Sequence, residues 1–181
     1  MIPKTKGLAT FCDVFCEKGF FTNKQSKEVL EAGKKYGLVP KIHADELSDT
    51  GGAALAAEIG AISADHLLMS SYSGLKRIAE KRVIGILLPG VPFSLMQNNY
   101  ANARNMINLG VPIALATDLN PNCWTENMQL IIQLACLKMK MTQAEAITAA
   151  TFNAACALKM NDVIGSLEKG KQADVIVLDC P

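Results

Sequence analysis

Five short apolar runs begin near residues 11, 38, 61, 83 and 111, and each is followed by a stretch with helical periodicity. The repeat from one run to the next is 22 to 28 residues, enough for a strand, a turn, a helix and a second turn. Strands alternating with helices at this spacing build right-handed βαβ crossovers and therefore a parallel sheet. The runs at 11–17, 38–44, 61–68, 83–88 and 111–117 are apolar throughout rather than alternating, as expected of strands covered on both faces. Helices are predicted at 23–36, 52–59, 73–81 and 98–109. Gly33 weakens the first and Gly37 stops it, while Ser73 caps the third. Two more helices follow at 125–141 and 142–158, the second opened by the capping box Thr142-Gln143-Ala144-Glu145.

A parallel sheet of five strands belongs either to an open doubly wound fold or to part of a closed barrel. No Gly-x-Gly-x-x-Gly or Gly-x-x-x-x-Gly-Lys loop follows any run, so the nucleotide-binding open sheets lose their signature. A full (β/α)8 barrel needs eight strands and at least ~200 residues. The expected fold is α/β, a partial (β/α)8 barrel of about five parallel strands over residues 1–160. Residues 165–172 are turn-rich, and 173–178 form a β run ending at Asp179. Residues 161–181 are accordingly expected to enter a second, small β-domain, with an edge that needs partners.

Half of the 181 residues are hydrophobic, and 18 basic side chains balance 17 acidic ones. That composition supports a sizeable core and points to neither nucleic acid nor a membrane surface as partner. With no signal-peptide pattern and no run of roughly 18 apolar residues, a cytoplasmic protein acting on a small molecule is expected. Cys12, Cys16, Cys123, Cys136, Cys156 and Cys180 contain no Cys-x-x-Cys pair and read as reduced, mostly buried thiols. The methionines between Met128 and Met160 fall at helical spacing and read as core.

Chemistry concentrates at two strand ends. His43-Ala44-Asp45-Glu46 closes the second run and Thr117-Asp118 closes the fifth. An imidazole and a carboxylate at the C-terminal ends of strands stand where a barrel enzyme keeps a metal, although a catalytic metal normally has three protein ligands. Each residue also has a structural reading. His43 or His66 would serve as a hydrogen-bonded core histidine, Glu46 as a solvated loop carboxylate, and Asn120 as a turn former ahead of Pro121.

Several segments together resemble the amidohydrolase superfamily and, within it, the imidazolonepropionase family of histidine degradation. They are Phe11-Cys12-Asp13-Val14-Phe15-Cys16-Glu17, Lys41-Ile42-His43-Ala44-Asp45-Glu46, Ala64-Asp65-His66-Leu67 and Ala116-Thr117-Asp118-Leu119-Asn120-Pro121-Asn122. The stretch 165–179 resembles the superfamily's return to its small β-domain. The resemblance implies a barrel with one divalent metal, zinc or iron, that hydrolyses a cyclic amide. It implies His43 and Asp118 as metal ligands, Asp118, His66 and Glu46 as catalytic groups, and Glu46, Asn120, Asn122 and Cys123 as substrate contacts. Asn122 and Cys123 replace a Gly and a Ser or Thr of that family. Asn tolerates left-handed backbone best after Gly, whereas a thiol is the poorer hydrogen-bond partner. The family's His-x-His pair, an Arg, a Tyr and a further His would precede Met1. The chain is therefore expected to be the C-terminal part of a longer barrel, inactive alone and prone to self-association as a homo-oligomer or fragment assembly. A deaminase of the same superfamily, and a silent fragment joining a complementary chain, are the alternatives.

Overall fold

The structure, a computed structural model, describes residues 2–177 and Asp179. After a short 3-10 turn at Ile2–Thr5, six parallel strands alternate with helices. The strands are β1 (Phe11–Cys12), β2 (Phe15–Cys16), β3 (Val39–Ala44), β4 (Ser63–His66), β5 (Ile84–Leu87) and β6 (Ile113–Leu115). Both β1 and β2 pair with β3, which is followed in the sheet by β4, β5 and β6 in order. The sheet is open, with β1 and β2 along one edge and β6 along the other. Sequential order of this kind is that of a barrel wall rather than of a doubly wound sheet, whose order reverses.

The strand expected at 11–17 is interrupted. Phe11 and Cys12 pair with Val39 and Pro40, and Phe15 and Cys16 pair with His43 and Ala44, so the register is continuous across the gap. At the break the Asp13 carboxylate accepts the Val14 N–H at 2.7 Å and turns the backbone out of the ladder.

The helices are α1 (Asn23–Lys35), α2 (Gly52–Ile59), α3 (Tyr72–Glu80), α4 (Gly90–Ser94), α5 (Ala103–Asn108), α6 (Met128–Met139), α7 (Gln143–Ala150) and α8 (Phe152–Ala157). Ser71, not Ser73, caps α3. The stretch 98–109 is helical only from Ala103, where the Asn102 side chain accepts the Asn105 N–H and sets the start. The span 142–158 is two helices. Its capping box forms as expected, but Thr151 breaks the run with φ −121° and ψ −89°. The helix α4 stands where Pro89, Gly90 and Pro92 read as breakers, yet a proline in the first helical turn forfeits no intrahelical hydrogen bond. Residues 173–177, expected as part of a strand to 178, have no strand partner among the described residues, and Leu178 lies outside them. A β conformation is a pairing, and Ile176 and Val177 are 80% and 93% exposed.

The main core lies between sheet and helices, with Ile42, Ala44, Leu87 and Leu115 against Leu30, Ala53, Ala56, Met106 and Ile131. A second cluster on the opposite face holds Ile84, Ile86, Ala114, Val91, Cys123 and Ala157. Strand β3 alternates instead of being apolar throughout. Ile42 and Ala44 face the helices, and Lys41 and His43 face the other side. Among the described residues no helix is long and apolar enough to cross a membrane.

Gly33, inside α1 where it weakens the helix, has a packing reason. A Cβ there would lie 2.8 Å from Cys12 Cβ and 2.9 Å from Cys12 Sγ, so its absence lets α1 close on β1. Helix propensity alone would favour Gly33→Ala by roughly 1 kcal/mol. Overpacking against Cys12 is expected to reverse that sign, with a net loss of about 1–2 kcal/mol in urea unfolding. A variant more stable than the parent would show that α1 does not make this approach.

Candidate active site

The C-terminal ends of β3, β4 and β6 open on a cleft of about 650 Å³. Its polar wall consists of Asp13, His43, Glu46, His66, Asp118, Asn120 and Asn122; its apolar wall includes Val14, Phe15, Phe20, Leu47, Val91 and Leu95. Four non-glycine residues at or just past these strand ends adopt left-handed backbone: Asp45 at φ 52°, His66 at φ 74°, Leu67 at φ 58° and Asp118 at φ 54°. Such conformations are costly and persist where surrounding contacts enforce them, often at functional sites.

His43 reaches the cleft from β3 on the face away from the helices. Its Nδ1 lies 2.8 Å from Asp13 Oδ2, an arrangement that orients the ring and leaves Nε2 free. Burial alone would lower the pKa of His43. The hydrogen bond and charge of Asp13, with the charges of Asp65 and Asp118, more than offset it and raise the pKa to about 9.

His66 ends β4 directly opposite Ala44 and is 2% exposed. Its Nε2 stands 3.6 Å from Glu46 Oε2 and 4.0 Å from Asp118 Oδ2, while Nδ1 is buried with no hydrogen-bond partner among the described residues. Burial, then the charge of His43, push its pKa down to about 3, so the ring is neutral near pH 7. Placing the single ring proton on Nε2 directs it to two carboxylates, whereas on Nδ1 it would meet none. In that tautomer the Nε2 N–H would face Glu46 and Asp118 across the cleft. Burial, then the charge of Asp118, raise the pKa of Glu46.

The loop after β6 is closed on itself. Asn120 and Cys123 exchange both backbone hydrogen bonds. The Asn120 amide donates to the Asp118 carbonyl and its oxygen accepts the Asn122 N–H, each at 2.8 Å. The left-handed residue here is Asp118, not the Asn122 that stands at the family's Gly position. Cys123 does not line the cleft, contrary to the contact expected of it. It is fully buried, with its thiol donating to the Thr117 carbonyl at 3.3 Å and its sulfur 3.7 Å from Ser94 Oγ. Gly90 permits this, since a Cβ there would come within 3.1 Å of the sulfur.

Among the described residues one cluster has the spacing of a metal-holding group. One ligand atom each from Asp13, His43 and Asp65 falls within 4.8 Å of the others. Asp13 is already hydrogen-bonded to His43, however, and Asp65 Oδ1 accepts the Ser63 hydroxyl, which Lys41 also contacts. Burial drives Asp65 up to about 6, with Lys41 and His43 opposing. Asp13 thus orients the His43 ring, and Asp65 lies beside them as a buried carboxylate held by Ser63. An imidazole nitrogen and a carboxylate suit a borderline divalent metal.

Glu17, Asp13 and Asp45 border this site; they stand within the runs 11–17 and 41–46, but nothing in the sequence marked the hydrogen bonds they make. The nearest signal is the Gly51-Gly52 pair after Asp45, because a Cβ on Gly52 would meet Asp45 Oδ1 at 3.2 Å.

Comparison with known proteins places the chain in a family. The profile of the Amidohydrolase family matches residues 17–180. The imidazolonepropionase of Geobacillus thermodenitrificans is 57% identical over 182 residues, covering 99% of this chain and 43% of that protein. That of Alkaliphilus metalliredigens is 55% identical and covers all of this chain and 44% of its own length. This chain thus spans less than half the length of these relatives. Among solved structures, an uncharacterized metal-dependent hydrolase from Pyrococcus furiosus superposes with TM-score 0.76 at 18% identity, over 99% of this chain and 48% of the other. At that identity the likeness is one of fold.

Asp13→Asn is expected to drop the His43 pKa from about 9 towards or below its ordinary 6.5, read by NMR titration. A histidine whose folded pKa is raised adds stability that is complete below 6.5 and fades as pH climbs through about 9. The parent chain should lose stability across that window and the variant much less. A His43 pKa unmoved by the substitution would separate it from Asp13.

Proposed function

This chain belongs to the amidohydrolase family, and we propose that it is the C-terminal part of an imidazolonepropionase, which opens the ring amide of 4-imidazolone-5-propanoate to N-formimidoyl-L-glutamate in histidine catabolism. The observation that carries this is the 57% identity to such an enzyme across nearly the whole chain. The deaminase alternative has no comparable support, since the zinc-bound adenosine deaminase of Xanthomonas campestris is 20% identical and shares the fold.

In this reading His43, through Nε2, and Asp118 hold one divalent metal, zinc or iron. The metal when bound supplies Lewis acidity and a hydroxide nucleophile at neutral pH. Asp118 takes the proton of the attacking water and passes it to the ring nitrogen as the C–N bond breaks. His66, donating from Nε2, steadies the negative charge that grows on the carbonyl oxygen, a contribution typically of about 10²–10³ in rate. Glu46, with a raised pKa beside His66, contacts the substrate ring, and Asn120 and Asn122 border the same space. Cys123 holds the loop from beneath. His43 and Asp118 are two ligands where catalytic zinc normally uses three, so the chain by itself is inactive and binds zinc weakly.

Replacing the matching segment of the Geobacillus thermodenitrificans protein with this chain should yield an enzyme that forms N-formimidoyl-L-glutamate. Asp118→Asn in that chimaera should cut turnover by about 10²–10⁴-fold. A folded, metal-loaded chimaera without this activity would overturn the assignment. For the chain alone, zinc affinity should rise about tenfold per pH unit until pH 9 or so, because His43 must lose its proton to bind. An affinity flat from neutral pH upward removes His43 from the ligand set.

A further inference from the structure

Two buried carboxylates with no part in the proposed chemistry grip the loop that carries Glu46. Glu17, 2% exposed at the end of β2, accepts the Leu47 N–H at 2.9 Å and the Ser48 N–H at 3.4 Å. It also accepts the Ser48 hydroxyl and, at 2.8 Å, the Lys18 N–H. Asp45 is fully buried and takes the far side of the same loop. Its Oδ1 accepts from Thr50 N, Thr50 Oγ1 and Gly52 N at 3.1, 3.2 and 2.9 Å. Its Oδ2 accepts from Ala53 N at 3.0 Å and from Ser70 Oγ at 2.7 Å.

The Ser70 bond matters most, because Ser70 follows His66 on the segment leaving β4. The backbone repeats the link, with Leu67 N–H bonded to the Ala44 carbonyl at 3.1 Å and Met69 N–H to that of Asp45 at 2.8 Å. The end of β3, the start of α2 and the segment after His66 are therefore tied at one carboxylate. Gly52 is what lets α2 reach it, since a Cβ there would strike Ala44 Cβ at 2.8 Å. Burying a charge is costly unless donors surround it, and both carboxylates have a full set.

We propose that Glu17 and Asp45 are positioning residues that set Glu46 against His66 at the 3.6 Å separation found here, so that the two face the cleft as one unit. This rests on Glu46 and His66 being site residues, but on no particular substrate. A carboxylate is required at both places because every partner is a donor. An isosteric amide would point its own N–H groups at N–H groups.

The test uses the full 181-residue chain, labelled with 15N in histidine, as parent, Glu17→Gln, Asp45→Asn and Ser70→Ala. Thr142→Ala serves as a control that loosens the remote cap of α7. At one fixed pH, the His66 ring 15N resonances are expected to shift in the first three variants and to stay in place in the control. Amide exchange at Leu47, Ser48 and Ala53 should quicken by about tenfold where a charged acceptor is lost. Faster exchange with unmoved His66 resonances would show a merely structural loop clamp and defeat the proposal. So would an equal shift in Thr142→Ala. If Asp45→Asn fails to fold, Ser70→Ala, which removes a single bond of the five, gives the same reading. No turnover is measured, so this result and the activity of the chimaera stand or fall separately.

Discussion

The left-handed backbone at Asp45, His66 and Asp118 is the constraint on which the site depends. A strand side chain ordinarily points either to the helices or to the opposite face of the sheet. Positive φ at His66 and just past the ends of β3 and β6 turns the chain where groups from three strand ends line one cleft. For residues bearing a Cβ the turn costs on the order of 1 kcal/mol or more each. At Asp45 that cost is offset by the donors of α2 and Ser70, and at Asp118 by the closed Asn120–Cys123 loop beyond it. Local strain and local hydrogen bonding are thus parts of one device.

The two imidazoles show how finely position decides chemistry. Their ring centres are 5.3 Å apart, yet one is held protonated to about pH 9 and the other neutral down to about pH 3. Asp13 makes the difference. It faces Nδ1 of His43, while the corresponding nitrogen of His66 is buried without a partner among the described residues. One ring is therefore a cation near neutral pH and the other is uncharged.

Much of the fold was legible because a buried parallel strand and its covering helix leave a dense, regular pattern. The expected span 52–59 coincides with α2, and the Thr142–Glu145 box opens α7, since both depend on local residue types. The helix α4 was hidden because Pro89, Gly90 and Pro92 ordinarily signal a break, although a first turn accepts them. The apolar run at 173–177 has strand composition without a neighbour to bond, a condition set elsewhere in the molecule. In the cleft, His43 and Asp118 stood out in the sequence as an imidazole and a carboxylate closing apolar runs, whereas His66 and Glu46 were singled out by the family resemblance. Cys123 was misjudged because its direction depends on α4 and Gly90, which close above it. Glu17 was legible only as the end of the Phe11–Glu17 run, and its role was not, since the residues it holds lie about 30 positions away and no spacing rule joins them.

The register between β3 and β4 has a consequence for how such a chain can vary. His43 stands opposite Asp65, and Ala44 opposite His66. Side chains alternate faces along a strand, so one residue added or lost within either strand would send its inward groups to the helix side. His43 would then press into the packing around Leu30 and Ala53, and Ile42 or Ala44 would stand in its place at the cleft. Substitution at most positions of these strands is a graded change, whereas a change of length is all or nothing. The turns between helix and next strand carry no such register, so added length there leaves His43 and Asp65 facing each other.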